Sequence, residues 1–220
     1  LISAHIPCPD VTFAQFLQQG RGEARTYWES SRDDIGFAGL GTALEIMAYG
    51  ADRFETVRHQ AMELFADAMV LDEQEPLAAP RLFGGFSFRD EFVPDVAWSD
   101  FPPAHFVLPH YQLLRVGDQT WLTINAHLPY GENPNGLLPD LREALQAKVD
   151  ELRAFAAQDF VTQAHTDLNY PMPYETWEHN LLDATRRMTR GELNKVVLSR
   201  VAEVRFNEPG LLAMANAGPG

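Results

Sequence analysis

His105-Phe106-Val107-Leu108-Pro109-His110-Tyr111-Gln112-Leu113-Leu114-Arg115-Val116, then Gly117-Asp118-Gln119, then Thr120-Trp121-Leu122-Thr123-Ile124-Asn125-Ala126-His127-Leu128: this stretch decides the fold class. Both runs are rich in aromatic and β-branched residues, and a glycine-bearing break separates them, which signals a hairpin. Two antiparallel strands, 105–116 and 120–128, are expected. Upstream, Arg81 to Phe88 reads as a buried strand with two glycines, and Asp90 to Pro103 as a surface wrap rich in proline, aspartate and aromatics. Downstream, Pro129 to Pro139 breaks the pattern. Leu141, Leu145, Val149, Leu152 and Phe155 then mark a helix with a polar outer face.

The flanks follow the same grammar. Phe13, Phe16 and Leu17 share one face of a short helix within 11–19, which Gly20 ends. Arg25 to Glu29 reads as a strand, Ser30 to Asp34 as a polar turn, and Ile35 to about Tyr49 as one strand-like segment. Asp52 is the expected N-cap of a helix whose apolar positions run from Phe54 and Val57 to Ala68 and Met69. Asp72 to Pro80 is a loop. Near the other end, a loop runs to Pro173. A helix from about Tyr174 to Met188 follows, apolar at Trp177, Leu181, Leu182, Ala184 and Met188, and Gly191 ends it. Lys195 to Phe206 reads as a strand. Strands in runs with helices between them predict an α+β fold of antiparallel sheets flanked by helices.

Composition narrows the function. The 220 residues are 45% hydrophobic and 22% charged, as in an ordinary soluble protein. No stretch reaches the ~20 apolar residues of a membrane span, and no signal peptide is visible. Acidic residues outnumber basic ones 31 to 17, and a net charge of −14 repels nucleic acid. Cys8 is the single cysteine, so no internal disulfide can form, which fits a reducing cytoplasm. Two of the basic residues are lysines, Lys148 and Lys195. A lysine can give up its proton and arginine effectively cannot, so each lysine is informative.

Several motifs dissolve on inspection. Gly36, Gly39 and Gly41 stand in the order G-x-x-G-x-G, the reverse of a dinucleotide fingerprint, and fit close backbone packing in a sheet. The histidines, His59, His110, His127 and His179 among them, form no metal-ligand pair. Ser87 sits in no nucleophile elbow. Glu175 and Glu178 open a helix, where its dipole favours negative charge, and with Asp183 they need no further role.

Gly191-Glu192-Leu193-Asn194-Lys195-Val196-Val197-Leu198-Ser199-Arg200 is different. As a strand, it places Lys195 on a face with Val197, Ser199 and Val201, while Val196, Leu198, Ala202 and Val204 point the other way. Apolar residues on both faces predict a covered central strand. A lysine there would be partly desolvated, favouring the neutral amine that can act as a general base. The ordinary alternative is a lysine at a strand's first residue, its head group reaching water.

This segment resembles the K-V-V-L-[AS]-R stretch of the chorismate-utilising enzymes, with Tyr174 and Trp177 similar to the usual lead-in helix. The lysine resembles that of isochorismate and salicylate synthases. Arg81 to Phe88 is similar to the R-L-F-G-G-x-[AS]-F strand of the menaquinone branch, as are Trp98, Phe101, Pro102 and Phe106 to Pro109 to another of its stretches. The resemblance spans most of residues 24 to 212. It implies an anthranilate synthase-like sandwich of antiparallel sheets, of which residues 1–220 would form the N-terminal half of a single domain. It also implies a reaction: Lys195 deprotonates a water that attacks C2 of chorismate, and the C4 hydroxyl leaves with help from a glutamic acid. Mg²⁺, the acid and the residues that hold chorismate would belong to the C-terminal half, beyond Gly220. The chain alone is therefore expected to be inactive and to self-associate through exposed sheet edges. A salicylate synthase, a siderophore-pathway isochorismate synthase and a non-catalytic ligand-binding relative are the competing implications.

Overall fold

Pro109 brings no N–H to a β-ladder, and the run from His105 to Val116 divides there into two strands. The computed structural model describes residues 1–71, 75–89, 98–128, 134–155 and 166–206. The described residues form two units, 1–155 and 166–206. In the first, the elements are β1 (Ile2–Pro7), α1 (Phe13–Gln19), β2 (Arg25–Ser30), β3 (Ile35–Leu40), β4 (Leu44–Ala48), α2 (Arg53–Ala66) and β5 (Met69–Leu71). After a 3₁₀ turn at Pro76–Ala78 come β6 (Phe83–Phe86), β7 (Ala104–Leu108), β8 (Tyr111–Val116), β9 (Gln119–Ala126) and α3 (Pro134–Ala154). The second unit contains β10 (Thr166–Asn169), α4 (Tyr174–Thr189) and β11 (Glu203–Phe206).

The hairpin forms as expected. Val116 pairs with Gln119 and Gly117 takes φ +54°, the left-handed region that the primed hairpin turns demand. β8 and β9 sit at the middle of a six-stranded sheet ordered β2-β3-β8-β9-β1-β5, antiparallel except for the β1–β5 pair. A second sheet is ordered β4-β7-β6.

The two sheets share one bent ribbon. The expected single strand from Ile35 to Tyr49 breaks at Gly41, φ +65°, into β3 and β4, which lie in different sheets. Its partner breaks opposite, at Pro109-His110. The corner is held by Asn125, whose Nδ2 donates to Pro109 O (2.9 Å) and whose backbone N donates to His110 O (2.8 Å). Ala43 N donates to Leu108 O (2.8 Å) on the far side of the bend. Close packing explains the neighbouring glycines. A Cβ on Gly36 would lie 2.6 Å from the Phe13 ring, and one on Gly39 would collide with Thr26 and Pro109.

Other departures have local causes. The α2 pattern runs past its real end, since Met69 belongs to β5, and Asp52 holds the N-cap position without a side-chain hydrogen bond. The expected buried strand at Arg81–Phe88 is the short edge strand β6, exposed at Gly84, Gly85 and Phe86, because β7 is its sole partner. β5 and β10 are too short to carry a pattern of their own, and β1 is not expected from the sequence. The expected wrap at Asp90–Pro103 and the break at Pro129–Pro139 fall partly outside the described residues. Within the latter, α3 starts at Pro134 and tolerates Pro139.

One face of the six-stranded sheet carries the apolar core. Leu145, Val149 and Leu152 of α3 and Phe16 of α1 pack on Ile2, Ala4, Leu113, Leu122 and Ile124. Thr12 caps α1 with a complete capping box, fixing Phe16 in register. The opposite face carries a smaller apolar cluster of Phe37, Ala78, Leu114 and Trp121, and buries polar groups beside it. Thr123 Oγ1 donates to Ala78 O (2.7 Å), Gln112 Nε2 to Ala79 O (3.2 Å), and Ser3 Oγ to Asn125 Oδ1 (2.8 Å). These bonds satisfy groups whose burial would otherwise be costly.

Two titratable groups report on this core. Burial pushes the Cys8 thiol up to about 12, so roughly one thiol in ten thousand is ionised at pH 8, and the thiolate is the nucleophile. An aromatic disulfide reagent should leave Cys8 unmodified in native buffer and titrate one thiol in denaturant. Rapid native reaction would show that the β1 end opens. His110 is pushed below its ordinary 6.5, chiefly by burial and also by Lys148, against the raising influence of the Asn125 backbone and Glu23. The unfolded chain then binds the proton more readily, so this contribution is complete above pH 6.5 and is lost as pH falls through and below it. Urea midpoints from pH 7.5 to 5 should fall less steeply in His110→Gln than in the unaltered protein.

Candidate active site

The second unit begins its useful chemistry where α4 ends. Glu175 lies in the first turn and Arg186 and Arg187 in the last, so charges at both ends suit the helix dipole. Gly191, φ +74°, closes the helix. Its N–H bonds to Met188 O (3.0 Å), and Glu192 N–H reaches back to Arg187 O (3.0 Å). This is a Schellman motif, and it accounts for the Gly-Glu pair physically. The Glu192 side chain adds a 3.1 Å bond from Arg187 Nε. The expected end at Gly191 is therefore found.

The expected strand after it is not. Residues 195–202 have no regular secondary structure, and β11 begins at Glu203, pairing with β10. A strand needs neighbours for its N–H and C=O groups, and no described residue pairs with 195–202. The expected cover on both faces is also absent within the unit. Val197 is 80% exposed and Val201 65%, and Lys195 is exposed. Exposure nevertheless alternates. Val196 and Arg200 are half-buried and Leu198 is 37% exposed, while Lys195, Val197, Ser199 and Val201 look outward. The expected division of side chains holds from Lys195 to Val201, with the lysine on the open side, and fails beyond, where Ala202 is exposed and Val204 is 48% exposed.

Arg200 was not singled out from the sequence, yet it is the tie of this segment. Its Nε and Nη2 both donate to Met172 O (3.1 and 3.0 Å), and its guanidinium lies 4.1 Å from the Tyr170 ring centroid. The available signal was the Tyr170-Pro171-Met172-Pro173 sequence, where prolines on either side restrain the backbone that presents Met172 O.

The apolar side of α4 is likewise uncovered within this unit. Leu182 is 56% exposed, Met188 42% and Leu181 39%, and no residue of the helix is buried. Tyr174 and Trp177 pack ring to ring at 6.0 Å. Asp183 pairs with Arg186 at 3.6 Å. Among the described residues, no three His, Cys, Asp or Glu side chains come together as ligands, so no donor set for Mg²⁺ is assembled from them. Also among the described residues, no helix is long and apolar enough to cross a membrane.

Comparison with known proteins shows the family and the fold. Residues 1–215 match the family described as "Chorismate binding enzyme". The salicylate biosynthesis isochorismate synthase of Pseudomonas aeruginosa is 29% identical over 181 residues, covering 79% of this chain and 35% of that protein. Isochorismate synthase MenF of Bacillus subtilis is 25% identical over 197 residues, covering 84% of this chain and 40% of its own length. Among solved structures, MenF of Escherichia coli, the menaquinone-specific isochorismate synthase, shares the fold. The TM-score is 0.52 at 18% identity, over 94% of this chain and 42% of that one. The chain thus spans well under half the length of the relatives it matches.

Proposed function

The chain belongs to the chorismate-binding enzymes, and from that premise we propose that it forms the N-terminal part of an isochorismate synthase with Lys195 as general base. Both curated relatives carry that activity in their names. The observation that carries the reading is the match of residues 1–215 to the chorismate-binding family, within which Lys195 to Arg200 resembles the K-V-V-L-[AS]-R stretch.

The proposed chemistry gives Lys195 the role of base. Lys195 Nζ takes a proton from a water as its oxygen bonds to C2 of chorismate. The ring double bonds shift and the C4–O bond breaks. The departing hydroxyl takes a proton from an acid supplied by the remaining polypeptide, so the net change is an isomerisation. The Arg81–Phe88 stretch supports menaquinone as the destination of the product.

The test is product formation. A form of the protein extended to its relatives' length, given chorismate and Mg²⁺, should make isochorismate with no salicylate. Salicylate with pyruvate would indicate the elimination chemistry instead, and binding without turnover would indicate a ligand-binding relative. The 220-residue chain alone should be inert and run as dimers or larger species in light scattering, its exposed α4 face and Val197 seeking cover. Turnover by that chain, or a clean monomer at high concentration, would contradict this.

A further inference from the structure

We infer that Arg200 is the positioning residue for Lys195, a role that rests on reading the lysine as the base. Among the described residues, no other hydrogen bond, ion pair or ring contact ties 195–202 to its unit. The segment's side chains alternate between an inner and an open side, and Arg200 is the inner residue that is held. Turning or slipping a period-two segment by one residue sends every side chain to the opposite face. The clamp on Met172 O and the Tyr170 ring prevents that slip, and so keeps Lys195 on the open side.

The geometry asks for arginine in particular. Two N–H groups of one planar fork meet a single carbonyl while the same plane lies against an aromatic face. A lysine's point charge makes one such bond and no flat stack. Tyr170 acts through its ring face, and its hydroxyl takes no part in the clamp.

The first test needs no activity. In ¹⁵N relaxation of the 220-residue chain, order parameters at Val196–Val201 should stand near ~0.8 and fall below ~0.6 in Arg200→Ala, with α4 unchanged. Tyr170→Leu should lower them in the same sense and Tyr170→Phe should not. A segment already below ~0.6 in the unaltered chain, or unmoved by Arg200→Ala and Tyr170→Leu, overturns the clamp. The second test uses the form that turns chorismate over. Arg200→Ala should lower kcat by about tenfold to a hundredfold, the scale of a misplaced reacting group, with KM little changed. Arg200→Lys should recover part of that loss. Unchanged kcat in Arg200→Ala overturns the positioning role even if the order parameters fall. Activity retained by Lys195→Ala would instead sink the reading of the base, leaving the relaxation result to decide the clamp.

Discussion

On the proposed function, Lys195→Ala in the form extended to its relatives' length should lower isochorismate formation by about 10²–10⁴-fold, the usual contribution of a positioned general base, while the thermal midpoint stays put. Structure predicts the second half of that result directly. Lys195 is exposed, and among the described residues it makes no hydrogen bond or ion pair. Removing it therefore takes no contact from the unit. Chorismate is dianionic, however, so a lost cation could mimic a lost base. Lys195→Arg separates them, since it keeps the charge but cannot accept a proton at neutral pH. Both variants should be comparably inactive with KM close to unaltered. A Lys195→Arg protein with near-normal kcat would make the residue an electrostatic partner of the substrate and remove it as the base.

Phe16→Ala should destabilise the first unit by about 3–5 kcal/mol, a large share of the roughly 5–15 kcal/mol that holds a domain folded. Phe16 is fully buried and belongs to the cluster that joins α1, α3 and the six-stranded sheet. α1 is seven residues long and rigidly capped at Thr12, so it has little freedom to sink into the space left behind. The urea midpoint should fall with the slope unchanged, and the near-ultraviolet signal should weaken. A loss below about 1 kcal/mol would mean that the site collapses freely and that α1 is not fixed by this contact.

What the sequence discloses depends on how local each cause is. The α1, α3 and α4 stripes and the Gly117 turn are local, and each stands close to where the residues predict. The corner is not. Gly41 and Pro109 each look like ordinary interruptions, and the bend emerges from their lying opposite one another in one ribbon. β1 was unreadable for a related reason. Ser3 and His5 alternate with Ile2 and Ala4, which suggests a half-exposed strand, yet all four are buried, Ser3 bonded to Asn125 and His5 edge-on to Trp121. At the candidate site, Lys195 stands out in the sequence through its motif. Its expected desolvation is not found, since a local pattern says nothing of the neighbours that cover requires and the residue is exposed. Arg200 escaped notice because its partner carbonyl lies 28 residues earlier.

β1 finds its antiparallel partner 121 residues later, where Ser3 meets Ile124. At translation rates of about 5–20 residues per second, Ile2 emerges some 6–24 seconds before β9 exists to receive it. Its other neighbour, β5, appears earlier but offers just three paired positions. For that interval β1 has little more than β5 to pair with, and most of its ladder waits on β9.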